Sequence, residues 1–161
     1  MQNNILDQIK NNNPLFSTGY IVDKKIDSGK DGTVFIVHKK GNKEKLFAAK
    51  VFVKPEGVDE QYWKHVHDEI VTCSRISQKP NENLVKVYES FIINNECFIM
   101  IMEYINGINL KEYLNNSGGK LPEATVLSLM KPVFESLFTV HNGGLVHRDI
   151  SPDNIFLTDD G

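Results

Sequence analysis

Residues 145–156 read LVHRDISPDNIF, and from His147 to Asn154 they gather a histidine, an arginine, two aspartates and an asparagine, with Pro152 to stiffen the run. Asp149 and Asn154 stand five residues apart across this proline-containing loop. A carboxylate can accept a hydroxyl proton, and an amide oxygen is a hard ligand suited to Mg²⁺. Taken alone, Arg148 and Asp153 read equally well as turn residues. The meaning of the loop depends on what precedes it.

Immediately upstream, the segment that follows LPEA (121–124) has helical character, with Pro122 suited to a first helical turn, and runs to about His141. The glycines of NGG (142–144) end it, and Pro132 is expected to kink it. Between Val126 and Val140 its apolar residues cover more than half of the circumference, wider than the stripe of a surface helix. Such a helix expects neighbours on several sides, and the sequence looks cut short. LKEYLNN (110–116) is a shorter helix, after the connection NGIN (106–109).

Further upstream the pattern changes. YIVDKKID (20–27), TVFIVHKK (33–40) and LFAAKVFV (46–53) read as three strands of an antiparallel meander, joined by SGKDG and GNKEK. Residues 58–77 switch to helical spacing, with Tyr62, Val66, Glu69, Cys73 and Ile76 on one face. LVKVYESFII (84–93) and CFIMIMEYI (97–105) form a hairpin about NNE. Five strands and one helix therefore precede Asn106.

Two further features carry chemistry. In DSGKDGTV (27–34), Gly29 and Gly32 let the backbone approach a bulky anion, although glycines in a hairpin turn are also ordinary structure. No GK[ST] follows, so this is not a Walker loop. Lys50 interrupts the apolar strand FAAKVF, and Glu69 interrupts the apolar helix face. Strand alternation could send Lys50 to solvent while Ala49 and Val51 point inward. Pairing Lys50 with Glu69 instead resolves both stranded charges and sets a cation beside the glycine turn.

In this order, a glycine loop ending GTV, the lysine of AAK, a helical glutamate, MEY with a following glycine, and HRD with Asn154 resemble the protein-kinase motif set. The resemblance runs from about Tyr20 to Gly161. It implies an α+β, two-lobed fold: a complete five-stranded antiparallel N-lobe with helix C, then a helical C-lobe that is truncated, with ATP between them. Residues 1–18 would be a leader, 19–105 the N-lobe, and 106–161 the hinge and the start of the C-lobe through the catalytic loop. By the same resemblance Ser28, Gly29 and Gly32 would cover the phosphates, with Val34 and Ala48 above the adenine and Phe156 below it. Met102 would be the gatekeeper, Glu103 to Ile105 the hinge, and Asn109 would stand near the ribose. Lys50, held by Glu69, would bind the α- and β-phosphates. Asp149 would act as base and Asn154 would hold one Mg²⁺. Cys73, Val87 and His147 would belong to the apolar column that couples the lobes.

Three departures stand out. Asp27 replaces the first glycine of the loop. Ser151 occupies the place where serine/threonine kinases usually carry a lysine, and brings no charge to the transferred phosphoryl group. IFLTDDG resembles the approach to a metal-binding DFG that the sequence does not reach. The resemblance thus implies an ATP-dependent protein kinase directed to serine or threonine rather than tyrosine, inactive as these 161 residues alone. Two rivals remain open: a pseudokinase module that binds nucleotide or a partner, and a phosphotransferase acting on small hydroxyl metabolites. Against the latter, such enzymes usually show glycine where Arg148 stands.

The totals agree with a cytoplasmic globular domain. With 40% apolar and 24% charged residues, a net charge of −3 and no basic run, nucleic acid is not the expected partner. Cys73 and Cys97 are too few for a disulfide framework or a zinc site and read as buried thiols of a reducing compartment. The asparagine-rich start, with its short amphipathic ILDQIK, lacks the apolar core of a secretion signal. No stretch is long enough to span a membrane.

Overall fold

The computed structural model describes residues 18–29, 32–55, 57–78, 81–93, 96–147 and 149–158; the leader, Arg148 and the side chain of Glu69 lie outside the described residues. Two compact units divide them. One holds residues up to 78 with 85–104; the other holds 79–84 with the residues from 105 onward.

The first unit is built on a five-stranded antiparallel sheet: β1 (Tyr20–Gly29), β2 (Gly32–Lys39), β3 (Asn42–Val53), β4 (Val87–Ile93) and β5 (Cys97–Glu103), in the order β1-β2-β3-β5-β4. The five predicted strands are all present. The GNKEK turn is shorter than expected, because Gly41 takes φ +88° and β3 begins at Asn42. Strand parity separates two apolar clusters. Phe35, Val37, Phe47, Ala49, Val51, Cys97, Ile99 and Ile101 are buried on one face with Tyr20. Phe98 and Met100 lie on the other, against helix α1 (Glu60–Ile76). Asp59 caps that helix by accepting from the Gln61 amide at 2.9 Å. Cys97 is buried, which pushes its thiol up to about 12, whereas Cys73 is only half-buried on α1.

The buried face of α1 is rotated from the predicted one. Tyr62 is 57% exposed, and Trp63 (3%) and Ile70 (5%) are buried in its place. Both stripes satisfy helical spacing and share Val66 and Cys73. The larger indole decides between them, stacking on Phe98 with ring centroids 4.5 Å apart.

At one corner the sheet curls until its two edge strands meet. The Tyr20 hydroxyl on β1 donates to Glu89 Oε1 on β4 at 2.9 Å, and Lys39 Nζ reaches the same oxygen at 2.9 Å. Phe47 sits edge-on between Tyr20 and Tyr88, closing this end with aromatic contacts. On β2, buried His38 is held by Asp23, Nδ1 to Oδ2, at 2.7 Å.

The second unit contains α2 (Leu110–Asn116), as predicted, and α3 (Glu123–Asn142). Pro122 caps α3 from outside rather than entering its first turn, and the helix is continuous through Pro132. Its end is a Schellman turn: Leu145 N–H bonds Val140 O, Gly144 N–H bonds His141 O, and Gly144 takes φ +73°. Ser136 and Val140 are the buried residues of α3. Asn81 reaches this side, accepting from Ser136 Oγ at 3.2 Å and donating to Thr139 Oγ1 at 3.4 Å. Leu127, Phe134 and Phe138 remain 62–68% exposed, so the covered side is far narrower than the apolar arc. A two-stranded ribbon, β6 (Gly107–Asn109) with β7 (Phe156–Thr158), was not legible in the sequence because each strand is three residues long. Among the described residues no helix is long and apolar enough to cross a membrane.

Two measurements test this packing. Trp63→Ala is expected to lower unfolding free energy by about 3–5 kcal/mol. Tyr62→Ala should stay within about 0.5 kcal/mol, the reverse of what the sequence stripe implies. The corner predicts a pH profile. Hydrogen bonding from Lys39, then from Tyr20, holds the Glu89 carboxyl below the usual range against opposing burial. Burial first, then Glu89, raises the Tyr20 hydroxyl. Glu89 therefore stabilises the fold above the ordinary carboxylate pKa, and that contribution is lost as pH falls through its lowered value. Tyr20 stabilises it below the ordinary phenol pKa, and that is lost as pH rises through its raised value. Tyr20→Phe should cost about 1 kcal/mol at neutral pH and flatten the alkaline decline in urea midpoint.

Candidate active site

In the first unit the candidate residues fall on one face of the sheet. Cross-strand pairing aligns Asp27, Val34, Lys50 and Met100 in one row, and Ile36, Ala48 and Met102 in the next. Directly opposed residues share a face, so these two rows carry the predicted phosphate lysine, gatekeeper and adenine contacts Val34 and Ala48 together. Lys50 is there because its neighbours cannot be: Ala49 and Val51 are 0% and 1% exposed in the cluster on the opposite face. The solvent-facing alternative for Lys50 is only partly met. It is half-buried, with Nζ 5.1 Å from the Phe52 ring centroid. The predicted pairing of Lys50 with Glu69 lies outside the described residues; Glu69 is within α1.

Gly32 has a local reason to be glycine. Its φ is +115°, and a Cβ would stand 2.7 Å from the Val51 carbonyl oxygen. β1 and β2 stay paired to the tip of the turn, Ser28 opposite Thr33 and Gly29 opposite Gly32. The Ser28 N–H donates to Asp27 Oδ1 at 2.7 Å. In the predicted hinge, the Glu103 N–H is already given to the Lys86 carbonyl at 2.8 Å, while Tyr104 and Ile105 lie outside the strands.

In the second unit the loop is ordered by its own side chains. Pro152–Asn154 form a 3₁₀ turn, with Asn154 N–H bonding Ser151 O at 3.0 Å. Asn154 Nδ2 donates to Asp149 Oδ2 at 2.7 Å and to the Asp149 carbonyl at 3.1 Å. His147 Nδ1 accepts from the Asp149 N–H at 3.4 Å. The Asn154 amide nitrogen is therefore spent on Asp149, and its Oδ1, a hard ligand, has no hydrogen-bond partner among the described residues. That fits Mg²⁺, which takes one or two protein oxygens and completes its shell with water and phosphate. Among the described residues no cluster of three or more histidine, cysteine, aspartate or glutamate side chains could hold a metal.

The loop is also tied to its surroundings. Leu110 N–H bonds Ile155 O at 2.7 Å, and Asn109 pairs with Phe156. Gly107 allows this approach, since a Cβ there would meet Leu157 O at 2.1 Å. Sequence reasoning missed Lys111, whose Nζ holds Asp153 at 2.9 and 3.3 Å from α2, and no local signal marks that pair. It also missed Asn109 as the cap of α2, where Oδ1 accepts from Glu112 N–H at 2.8 Å. The run Asn109-Leu-Lys-Glu112 carries the cap signature in plain view. The cap bond uses one lone pair of Asn109 Oδ1 and leaves its Nδ2 without a partner among the described residues. Phe156 is 48% exposed, and Ser151 is half-buried with no charge to offer.

Comparison with known proteins gives the family and the fold. The family model described as protein kinase domain matches residues 20–161. The serine/threonine-protein kinase PknL of Mycobacterium tuberculosis is 35% identical over 150 residues, covering 91% of this chain and 35% of that protein. The serine/threonine-protein kinase PAK mbt of Drosophila melanogaster is 31% identical over 137 residues, covering 85% of this chain and 20% of that protein. The crystal structure of the M. tuberculosis PknI kinase domain matches the fold with a TM-score of 0.73 at 24% identity, over 88% of this chain and 55% of that one. The chain spans about a third or less of the length of PknL and PAK mbt, and about half of the PknI kinase domain. With a family model covering nearly all of it, a five-stranded sheet carrying Lys50 and a loop that binds Asn154 to Asp149, the chain belongs to the protein kinase domain family.

Proposed function

We propose that the protein carrying these residues transfers the γ-phosphate of ATP to a protein hydroxyl, serine or threonine rather than tyrosine. The observation that carries this reading is the Asn154–Asp149 bond of 2.7 Å. It fixes one carboxylate oxygen and leaves Oδ1 without a hydrogen-bond partner among the described residues, able to orient an acceptor hydroxyl and take its proton. In this reading the Lys50 ammonium engages the α- and β-phosphates, with Glu69 as its partner. Ser28, Gly29 and Gly32 carry the backbone that covers the phosphates. Val34, Ala48, Met102 and Phe156 receive the adenine, Glu103 to Ile105 bond it through the backbone, and Asn109 meets the ribose through its amide. Asn154 Oδ1 would be one ligand of a Mg²⁺, which would neutralise charge at the phosphates. The serine/threonine kinases among the relatives support the acceptor class.

Transfer of labelled γ-phosphate by the intact protein tests the reading. Asp149→Asn should lower turnover by about 10²–10⁴-fold while nucleotide still binds. Labelling of free hydroxyl metabolites in place of protein would overturn the assignment. Ser151 supplies no charge beside the transferred group, so Ser151→Lys should raise kcat by about tenfold or more, with KM for ATP little changed. Ser151→Ala should leave kcat close to wild type.

A further inference from the structure

We propose that Asp27 is a built-in anionic competitor for the phosphate end of the nucleotide, and so sets how strongly this site favours a polyphosphate over a bare nucleoside. The inference rests on the nucleotide reading above. It is carried by two independent observations. The first is the hydrogen bond from the Ser28 N–H to Asp27 Oδ1 at 2.7 Å. The Ser28 amide lies in the turn proposed to cover the phosphates, and a carboxylate oxygen already occupies it as a phosphate oxygen would.

The second observation is strand register. β1 carries an irregularity between Lys25 and Asp27, so that Lys25 opposes Phe35 and Asp27 opposes Val34, with Ile26 left over. Phe35 belongs to the buried cluster on the far face, and Val34 opposes Lys50. The bulge thus turns Asp27 onto the Lys50 face, where an unbroken alternation would have turned Ile26. Asp27 and Lys50 then stand in one row, two strand spacings or about 10 Å apart across Val34. A polyanion drawn to Lys50 enters the field of an exposed carboxylate that is not itself ion-paired among the described residues. It meets an amide donor that is already satisfied. Both effects weaken phosphate binding and leave an uncharged nucleoside untouched.

Asp27→Asn separates charge from shape, because the amide keeps an oxygen for the Ser28 N–H. Affinities of the full chain for Mg²⁺-free ATP and for adenosine are measured by titration calorimetry at low and high ionic strength. At low salt Asp27→Asn should tighten ATP by about three- to tenfold and leave adenosine unchanged. The gain should shrink at high salt, where the Debye length falls to about 3 Å. Asp27→Gly, which also releases the Ser28 N–H, should tighten ATP at least as much. Equal ATP affinity in wild type and Asp27→Asn, or a parallel shift for adenosine, would overturn this inference and leave the nucleotide reading standing. Absence of binding of either ligand to both proteins would overturn the nucleotide reading and this inference with it.

Discussion

The parity of β3 is the constraint on which the first unit depends. A strand has two faces, and consecutive side chains cannot share one. Ala49 and Val51 are committed to the inner cluster, at the centre of a sheet where both neighbouring strands also bury alternate residues. Lys50 is thereby forced onto the opposite face, with Val34 and Met100 beside it and Ala48 and Met102 one row away. A one-residue slip of β3 would bury the ammonium among Phe35, Ile99 and Ile101 and expose two core residues. The register that makes the core therefore also makes the cationic face. Folding and site formation in this unit are one event.

The same logic explains what could be read in the sequence. All five strands, α1 and α2 were legible because their apolar residues follow periods of two or about 3.6 and their turns carry glycine or asparagine. The loop chemistry was legible for a different reason: Asp149, Pro152 and Asn154 are close in sequence, so spacing alone brings them into reach. The misreadings arose where periodicity is degenerate. Tyr62 and Trp63 both satisfy a helical stripe, and only the stacking of the indole on Phe98, a residue 35 positions later, selects Trp63. Lys111 with Asp153 and Tyr20 with Glu89 are likewise long-range pairs that no local pattern encodes. The ribbon of Gly107–Asn109 with Phe156–Thr158 escaped because three residues carry no period at all.

In the second unit the determining interactions are polar and local rather than apolar. Asn154 on Asp149, Ser151 under Asn154 and Lys111 on Asp153 shape a loop whose residues are largely exposed. Exposed ion pairs such as Lys111–Asp153 contribute only about 0–1 kcal/mol, so the loop owes its shape to several weak ties and to the φ restriction of Pro152. Such a loop keeps its geometry when one of its residues is exchanged, provided the Asn154–Asp149 bond survives. Position 151 contributes its backbone carbonyl and no side-chain cap to this turn, so the turn makes no demand on the serine hydroxyl.

Geometry and charge are thus under separate control in this chain. Parity, glycine at position 32 and the Asn154–Asp149 bond are steric or hydrogen-bonding requirements, and they hold the family's arrangement at 35% identity. Point charges on exposed positions are bound by no such requirement. The two prominent departures, Asp27 and Ser151, are differences of charge and have the same sign: one adds a negative charge and the other omits a positive one where phosphate is expected. A sequence can therefore match the family closely in everything that determines the fold and still differ from it in the charge it carries at the proposed phosphate site, because membership is written in the apolar pattern and not in a few point charges.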